Sequence, residues 1–336
     1  MTNLVSITPS TALDYAWGKK EAIFFHGPSG VGKTWQIRAW AKHQAAKMGL
    51  DFYQVGVDEK PADWEKTFAL IEYRVALQDV LDIKGAPTIE DGNTVFKVPS
   101  SLPDIKKHGK FGMFFLDELA QGAPSVTNGL SQIVYDRMMG EHYKLPDDWL
   151  IVAAGNRKED HANTSKVGAQ MYNRFIHFEV KPDVKSWCDY QLGEGSDGRV
   201  PAFIRSVSNE DGSDHLHDYK KNDIAFSTPR MMSKVDEFVT EDFVRGDLRE
   251  KIVASHIGVP LARKLCVFLE LADQLATWSE IIKSPETARF PEQGSDQAVS
   301  AYYVLMGMCA KRVDEATIDN VMTYIRRIHS AELQSV

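Results

Sequence analysis

At 336 residues the chain has room for about two domains of ~150 residues, and 43% hydrophobic with 26% charged residues excludes general disorder. Its 39 Lys and Arg against 47 Asp and Glu leave a net charge of −8, which argues against a protein whose affinity comes from neutralising many nucleic-acid phosphates. Three cysteines (Cys188, Cys266, Cys309) with no CxxC pair rule out a disulfide framework. No signal-peptide pattern opens the chain and no apolar run nears the ~18 residues of a membrane span, so a cytoplasmic protein is expected.

The predicted elements alternate in the first half. Ala22-Ile23-Phe24-Phe25 reads as a buried strand. From Thr34, the residues Ile37, Trp40, Ala41, Ala45 and Met48 recur at helical spacing. Residues 52–55 form a second strand. Pro61 then opens a predicted long helix with Trp64, Phe68, Ile71 and Val75 on one face. Residues 84–110, rich in Gly, Pro, Asp and Lys, read as loop or hairpin. Residues 113–116 form a third strand, and Pro124 starts a short helix through Val126, Leu130 and Ile133. Strands at 150–154 and 175–180 complete the series. Strands alternating with helices imply an α/β fold with a parallel sheet covered on both faces. Beyond Pro182 the strand-like runs stop. Helices are expected at 184–192, 201–207, 229–240, 247–257, 260–276, 299–311 and 314–330. The division is therefore an α/β nucleotide-binding domain, 1–182, and a helical region, 183–336.

The chemistry-bearing motifs lie on this frame. Gly27-Pro28-Ser29-Gly30-Val31-Gly32-Lys33-Thr34 fits GxxxxGK[ST] between a strand and a helix. Glycines let successive backbone N–H groups wrap a phosphate, and the helix adds its positive end. Lys33 is placed to reach the β- and γ-phosphates and the Thr34 hydroxyl to coordinate Mg²⁺. Met113-Phe114-Phe115-Leu116-Asp117-Glu118 is an apolar strand ending in two acids. Asp117 suits the metal's water shell and Glu118 suits polarisation of an attacking water. A GTPase switch would favour Asp-x-x-Gly, whereas the sequence gives Asp117-Glu118-Leu119-Ala120. Asn156 ends the next strand, where an amide can orient water against the γ-phosphate; alone it would read as a turn residue. Arg174 precedes the last strand. Arg230 falls in a first helical turn, after a Thr228 cap and Pro229. Singly, each arginine reads as a surface or ion-pair residue.

The order of these motifs resembles an AAA+ ATPase of the MoxR branch over nearly the whole chain. The resemblance is carried by Phe115-Leu116-Asp117-Glu118-Leu119-Ala120-Gln121, Val134-Tyr135-Asp136-Arg137 with Gly140-Glu141, Val152-Ala153-Ala154-Gly155-Asn156-Arg157, Asn173-Arg174-Phe175-Ile176-His177 and the run from Phe268 to Leu275. It implies that Asn156 is the sensor 1 residue, Arg174 an arginine finger serving a neighbouring subunit, and Arg230 the sensor 2 residue of a helical lid. It further implies a hairpin over 134–150 with its tip at Gly140, and an insert within 58–110. The expected activity is Mg²⁺-dependent ATP hydrolysis in a ring, a hexamer by the same resemblance. The output would be remodelling of a protein client with a separate von Willebrand factor A-type partner, since this chain has no Asp-x-Ser-x-Ser site. Two other readings stand beside it. One is a nucleic-acid motor or restriction-type NTPase, disfavoured by the acidic balance and by seven Trp residues with no base-stacking pattern. The other is a nucleotide-gated scaffold with little turnover, disfavoured by Glu118. Asp214-His215-Leu216-His217-Asp218, at metal-like spacing, reads as a solvated loop. Lys106, Lys107, His108 and Lys110 read as a solvated basic turn, and Leu261, Leu265, Leu269 and Leu275 as lid core.

Overall fold

The computed structural model describes residues 5–156, 168–196, 198–208, 215–219, 224–239, 241, 246–273, 276, 278–289 and 315–327. The chain divides into two compact units, Met1–Lys181 and Pro182–Val336.

The first unit is built on a parallel sheet of seven strands: β1 (Val5–Ser6), β2 (Ile23–His26), β3 (Asp51–Gln54), β4 (Thr67–Arg74), β7 (Phe111–Asp117), β10 (Trp149–Gly155) and β11 (Ile176–Glu179). Their order across the sheet is β1-β11-β2-β10-β7-β4-β3. Alternation along the strands divides the core in two. Ile23, Phe25, Phe68, Leu70, Met113, Phe115, Leu150 and Val152 face α1 (Pro9–Lys19) and α2 (Lys33–Lys47), where Leu13, Ile37 and Trp40 are buried. Phe24, Ala69, Ile71, Phe114, Leu116, Ile151 and Ala153 face α5 (Pro124–Asp136) through Val126, Leu130 and Ile133. Strands covered on both faces lose the polar–apolar alternation of a half-exposed sheet.

That loss explains one correction. The helix expected from Pro61 through Val75 is instead a short 3-10 turn, Trp64–Lys66, followed by strand β4. Phe68, Ile71 and Val75 happen to recur at helical spacing. In fact β4 lies between β3 and β7, and Phe68 and Ile71 are buried against opposite faces. Helix α1 is not among the expected elements, although Thr8-Pro9 is the same start signal as Thr228-Pro229: Thr11 N–H donates to Thr8 Oγ1 at 3.3 Å.

The 84–110 segment contains a two-stranded hairpin, β5 (Ala86–Glu90) and β6 (Asn93–Lys97), turning at Asp91 and Gly92, both with positive φ. Short helices α3 (Leu81–Lys84) and α4 (Ile105–His108) flank it, and a further short helix, α6 (Ala169–Tyr172), precedes β11. Within 134–150, β8 (Met138–Met139) pairs with β9 (Tyr143–Lys144), and Gly140 turns between them at φ 55°. His108 is no part of a solvated cationic turn: it is buried, its Nδ1 accepts from Asp104 N–H at 3.1 Å, and burial pushes its pKa down.

The second unit is helical: α7 (Val184–Gly193), α8 (Arg199–Val207), α9 (Pro229–Phe238), α10 (Gly246–Ile257), α11 (Val259–Ala272), α12 (Trp278–Lys283) and α13 (Glu315–Ile325). A core of Trp187, Phe203, Met232, Val253, Leu261, Leu265 and Leu269 joins the first five. The expected helix at 299–311 lies outside the described residues, as do Leu275, Cys309 and Asp214. Among the described residues no helix is long and apolar enough to cross a membrane, and no group of three His, Cys, Asp or Glu is placed to hold a metal.

Candidate functional site

The glycine-rich loop runs from the carboxyl end of β2 to the first turn of α2. Two glycines are demanded by the backbone. A Cβ on Gly27 would lie 2.5 Å from the carbonyl oxygen of Val180, so the loop's entry admits no side chain. Gly32, the residue before α2, sits at φ 96°, a region open to glycine and strained for other residues. With these fixed, the N–H groups opening α2 point out of the helix end, where anions bind.

Three adjacent strands then converge on the loop. β10 lies between β2 and β7, with Gly155 in register with His26 and Ala153 with Leu116. The polar residues that follow these strands therefore meet at one edge of the sheet. The Lys33 ammonium donates to the Gly27 carbonyl at 2.7 Å, to the Pro28 carbonyl at 2.9 Å and to Asn156 Oδ1 at 3.1 Å. Thr34 Oγ1 donates to Asp117 Oδ2 at 3.2 Å. Asp117 Oδ1 accepts from the Glu118 N–H at 3.0 Å. Burial raises the Asp117 pKa above the usual carboxylate value, against the lowering effect of the Glu118 N–H and the Thr34 hydroxyl. Glu118 is exposed and held in the left-handed region at φ 55°, ψ 33°. The hydroxyl and carboxylate of Thr34 and Asp117 are hard oxygen donors at one point beside the loop, a set that suits Mg²⁺. The expected residues Gly27, Pro28, Ser29, Gly30, Val31, Gly32, Lys33, Thr34, Asp117, Glu118 and Asn156 thus come together.

Arg174 does not join them. It precedes the amino end of β11, whereas the loop follows the carboxyl end of the parallel neighbour β2. The two lie at opposite ends of strands four residues long, a length of about 13 Å. Its guanidinium donates to the Ser131 carbonyl and lies 4.9 Å from the ring centre of Tyr135, both on α5. Arg230 is exposed in the first turn of α9 in the second unit. There Thr228 Oγ1 accepts from Met231 N–H at 3.1 Å and Pro229 takes the first helical position.

Two pairs went unnoticed in the sequence. His26, the residue before Gly27, is joined to His177 of β11 by an Nε2–Nδ1 hydrogen bond of 2.8 Å, and His177 Nε2 donates to the Tyr172 carbonyl at 2.7 Å. The position of His26 beside the glycine loop was the available signal. Arg38 of α2 forms an ion pair with Glu72 of β4. Arg38 is four residues beyond Thr34, on the same helix face; the mistaken helix over 61–75 hid its partner.

No family model matches the chain, and no curated protein sequence matches it. Among solved structures it is similar to NtrX from Brucella abortus in complex with ADP, at 16% identity and a TM-score of 0.41, covering 99% of this chain and 69% of that one. It is also similar to a RuvB variant from Thermotoga maritima, at 17% identity and a TM-score of 0.37, covering 93% and 85%. A third similar structure is the closed state of Hsp104 with ATPγS and casein, at 12% identity and a TM-score of 0.37, covering 77% and 44%.

Proposed function

We propose that this chain is an ATP-hydrolysing AAA+ protein of the MoxR branch, working in the cytoplasm as a homo-oligomeric ring, most simply a hexamer, that remodels a protein client. The observation that carries the reading is the convergence of Lys33 with Asn156 at 3.1 Å and of Thr34 with Asp117 at 3.2 Å. A phosphate loop, a metal-binding pair, an acid and an amide are then gathered at one sheet edge.

In this reading the loop N–H groups and Lys33 bind the β- and γ-phosphates of ATP. Asn156, bonded to Lys33, orients the attacking water, and Glu118 takes up its proton as the oxygen attacks the γ-phosphorus and the bond from that phosphorus to the β,γ-bridging oxygen breaks, with ADP as the leaving group. Phosphoryl transfer depends on positioning and charge neutralisation more than on covalent chemistry. Mg²⁺ bound by Thr34 and Asp117 supplies part of that neutralisation. Arg230 of the helical unit is assigned to the same chain's nucleotide as the sensor 2 residue, on the sequence resemblance. Arg174 is assigned to the neighbouring subunit's ATP. Its place at the far end of the sheet from its own loop supports that assignment, and the rim formed with Tyr135, which is 70% exposed, suits a surface turned outward. The von Willebrand factor A-type partner rests on the sequence resemblance.

The test is steady-state phosphate release with ATP and Mg²⁺, for the native chain and for Glu118→Gln. Turnover in the native chain and its collapse in the variant, with ATP still bound, is the expected result. A native chain that binds ATP without releasing phosphate would overturn the hydrolytic reading in favour of a nucleotide-gated scaffold. Turnover that rises with added DNA or RNA would favour a nucleic-acid motor.

A further inference from the structure

Glu72 of β4 is a nearly buried acid. Its side chain is only 9% exposed, and its Oε1 is buried without a hydrogen bond. It lies between two arginines. Oε2 accepts from Arg38 Nε at 3.0 Å and from its terminal nitrogen Nη2, and Oε1 has the Arg74 Nε at 3.6 Å. Gln54 adds a longer bond to Oε2 at 3.4 Å.

Both arginines lie on elements that adjoin Asp117. Arg74 of β4 is its direct register partner on the adjacent parallel strand, and directly paired residues on neighbouring strands project from the same face. Arg38 is one helical turn beyond Thr34, which bonds Asp117 itself. A guanidinium beside a carboxylate normally pairs with it, and a bidentate pair occupies both oxygens. Here neither arginine bonds Asp117; both are held on Glu72. The charges of the group balance, two arginines against Glu72 and Asp117.

We infer that Glu72 is a positioning residue that holds Arg38 and Arg74 away from Asp117, so that the Asp117 carboxylate stays available to a divalent cation. This rests on the reading of Thr34 and Asp117 as the metal pair. In this inference Glu72 acts through the two guanidiniums, while its own charge also lies near enough to add to burial in raising the Asp117 pKa. With its charge removed, Arg74 across the strand or Arg38 on the helix is released toward the Asp117 carboxylate, and the cation must compete with it.

The experiment uses Mn²⁺ as the probe. Its binding to the full chain with ADP is followed by the loss of the free-ion electron paramagnetic resonance signal, which needs no turnover. Glu72→Gln should weaken Mn²⁺ binding at least tenfold, while metal-free ADP binding, measured with chelator present, stays within threefold. The triple variant Glu72→Gln with Arg38→Gln and Arg74→Gln should return Mn²⁺ affinity to within threefold of native. A residue that mattered only for folding gives the opposite order, because the triple variant has lost more of the network. If Glu72→Gln does not fold, the single variants Arg38→Gln and Arg74→Gln carry the test, and each should bind Mn²⁺ at least as tightly as native. Native affinity in Glu72→Gln, a triple variant weaker than the single, or a tenfold loss in either arginine variant would overturn the inference. A native chain that binds ADP but no Mn²⁺ would overturn the metal-pair reading itself.

Discussion

Glu118 combines a functional side chain with an unfavourable backbone, and the two can be separated by substitution. At φ 55° and ψ 33° it lies in the left-handed region, which costs a residue with a Cβ about 1–2 kcal/mol. The turn is held there by Asp117 Oδ1, which accepts the Glu118 N–H at 3.0 Å, and by Gln121 N–H, which donates to the Glu118 carbonyl at 2.8 Å. Glu118→Ala keeps the Cβ and the strain. Glu118→Gly removes the strain but adds about 0.5–1 kcal/mol of unfolded-chain entropy. The difference leaves Glu118→Gly more stable than Glu118→Ala by ~0.5–1 kcal/mol. For a unit of 181 residues, Met1–Lys181, that is a rise of about 1–4 °C in the midpoint of its transition. The assay is thermal unfolding without nucleotide, with phosphate release measured in parallel. Both variants should lose turnover by about 10²–10⁴, the usual contribution of a positioned base. A Glu118→Gly variant that melts at or below Glu118→Ala would refute the strain argument. Normal turnover in either variant would refute the role of the carboxylate.

Lys33→Ala should lose most of its ATP affinity, because charge-assisted bonds contribute about 1.5–3 kcal/mol each; unchanged affinity by calorimetry would contradict the phosphate-loop reading. Asp117→Asn should stabilise the nucleotide-free protein while abolishing metal binding. Burial raises the Asp117 pKa, so its ionised form is the costly one in the fold. The advantage of Asn should be largest above the folded-state pKa and vanish below the ordinary carboxylate range near pH 4, as urea unfolding across pH would show. Arg174→Ala subunits, inactive alone, should regain activity when mixed with inactive Lys33→Ala subunits, whereas Arg230→Ala subunits should not. Mixed rings without activity for Arg174→Ala would return Arg174 to a structural role on Ser131 and Tyr135. Cys188 and Cys266 are buried, with thiols pushed up to about 11. They should resist alkylation at pH 8 until the chain unfolds; rapid labelling of either, mapped by mass spectrometry, would contradict the helical core.

The glycine-rich loop was legible because its backbone constrains the residue type at two of its steps. Glycine is demanded where a Cβ would strike the Val180 carbonyl and where φ is 96°. Asp117, Glu118 and Asn156 were legible because each ends an apolar strand. Strand β4 was not, because burial on both faces erases the period that separates strand from helix. The misreading had a cost at the site, since Glu72 and Arg74 cannot be placed beside Asp117 until residues 67–74 are known to pair with β7. The His26–His177 contact was invisible for another reason: it joins residues 151 positions apart, and nothing local in either segment names the other.

The order β2-β10-β7 makes the sheet a gauge for the site. The phosphate loop, Asn156 and Asp117 each leave a different one of these strands, and main-chain hydrogen bonding sets each lateral step at ~4.8 Å. The end of β2, where the loop starts, is therefore about two such steps from the end of β7, which carries Asp117, whatever side chains fill the layers above and below. Exchanging Leu150 or Phe115 for another apolar residue alters how firmly the sheet is clamped, but not how far apart its strands run. Core variants of this unit should lose activity in proportion to the folded protein they retain, with the turnover of each folded molecule unchanged.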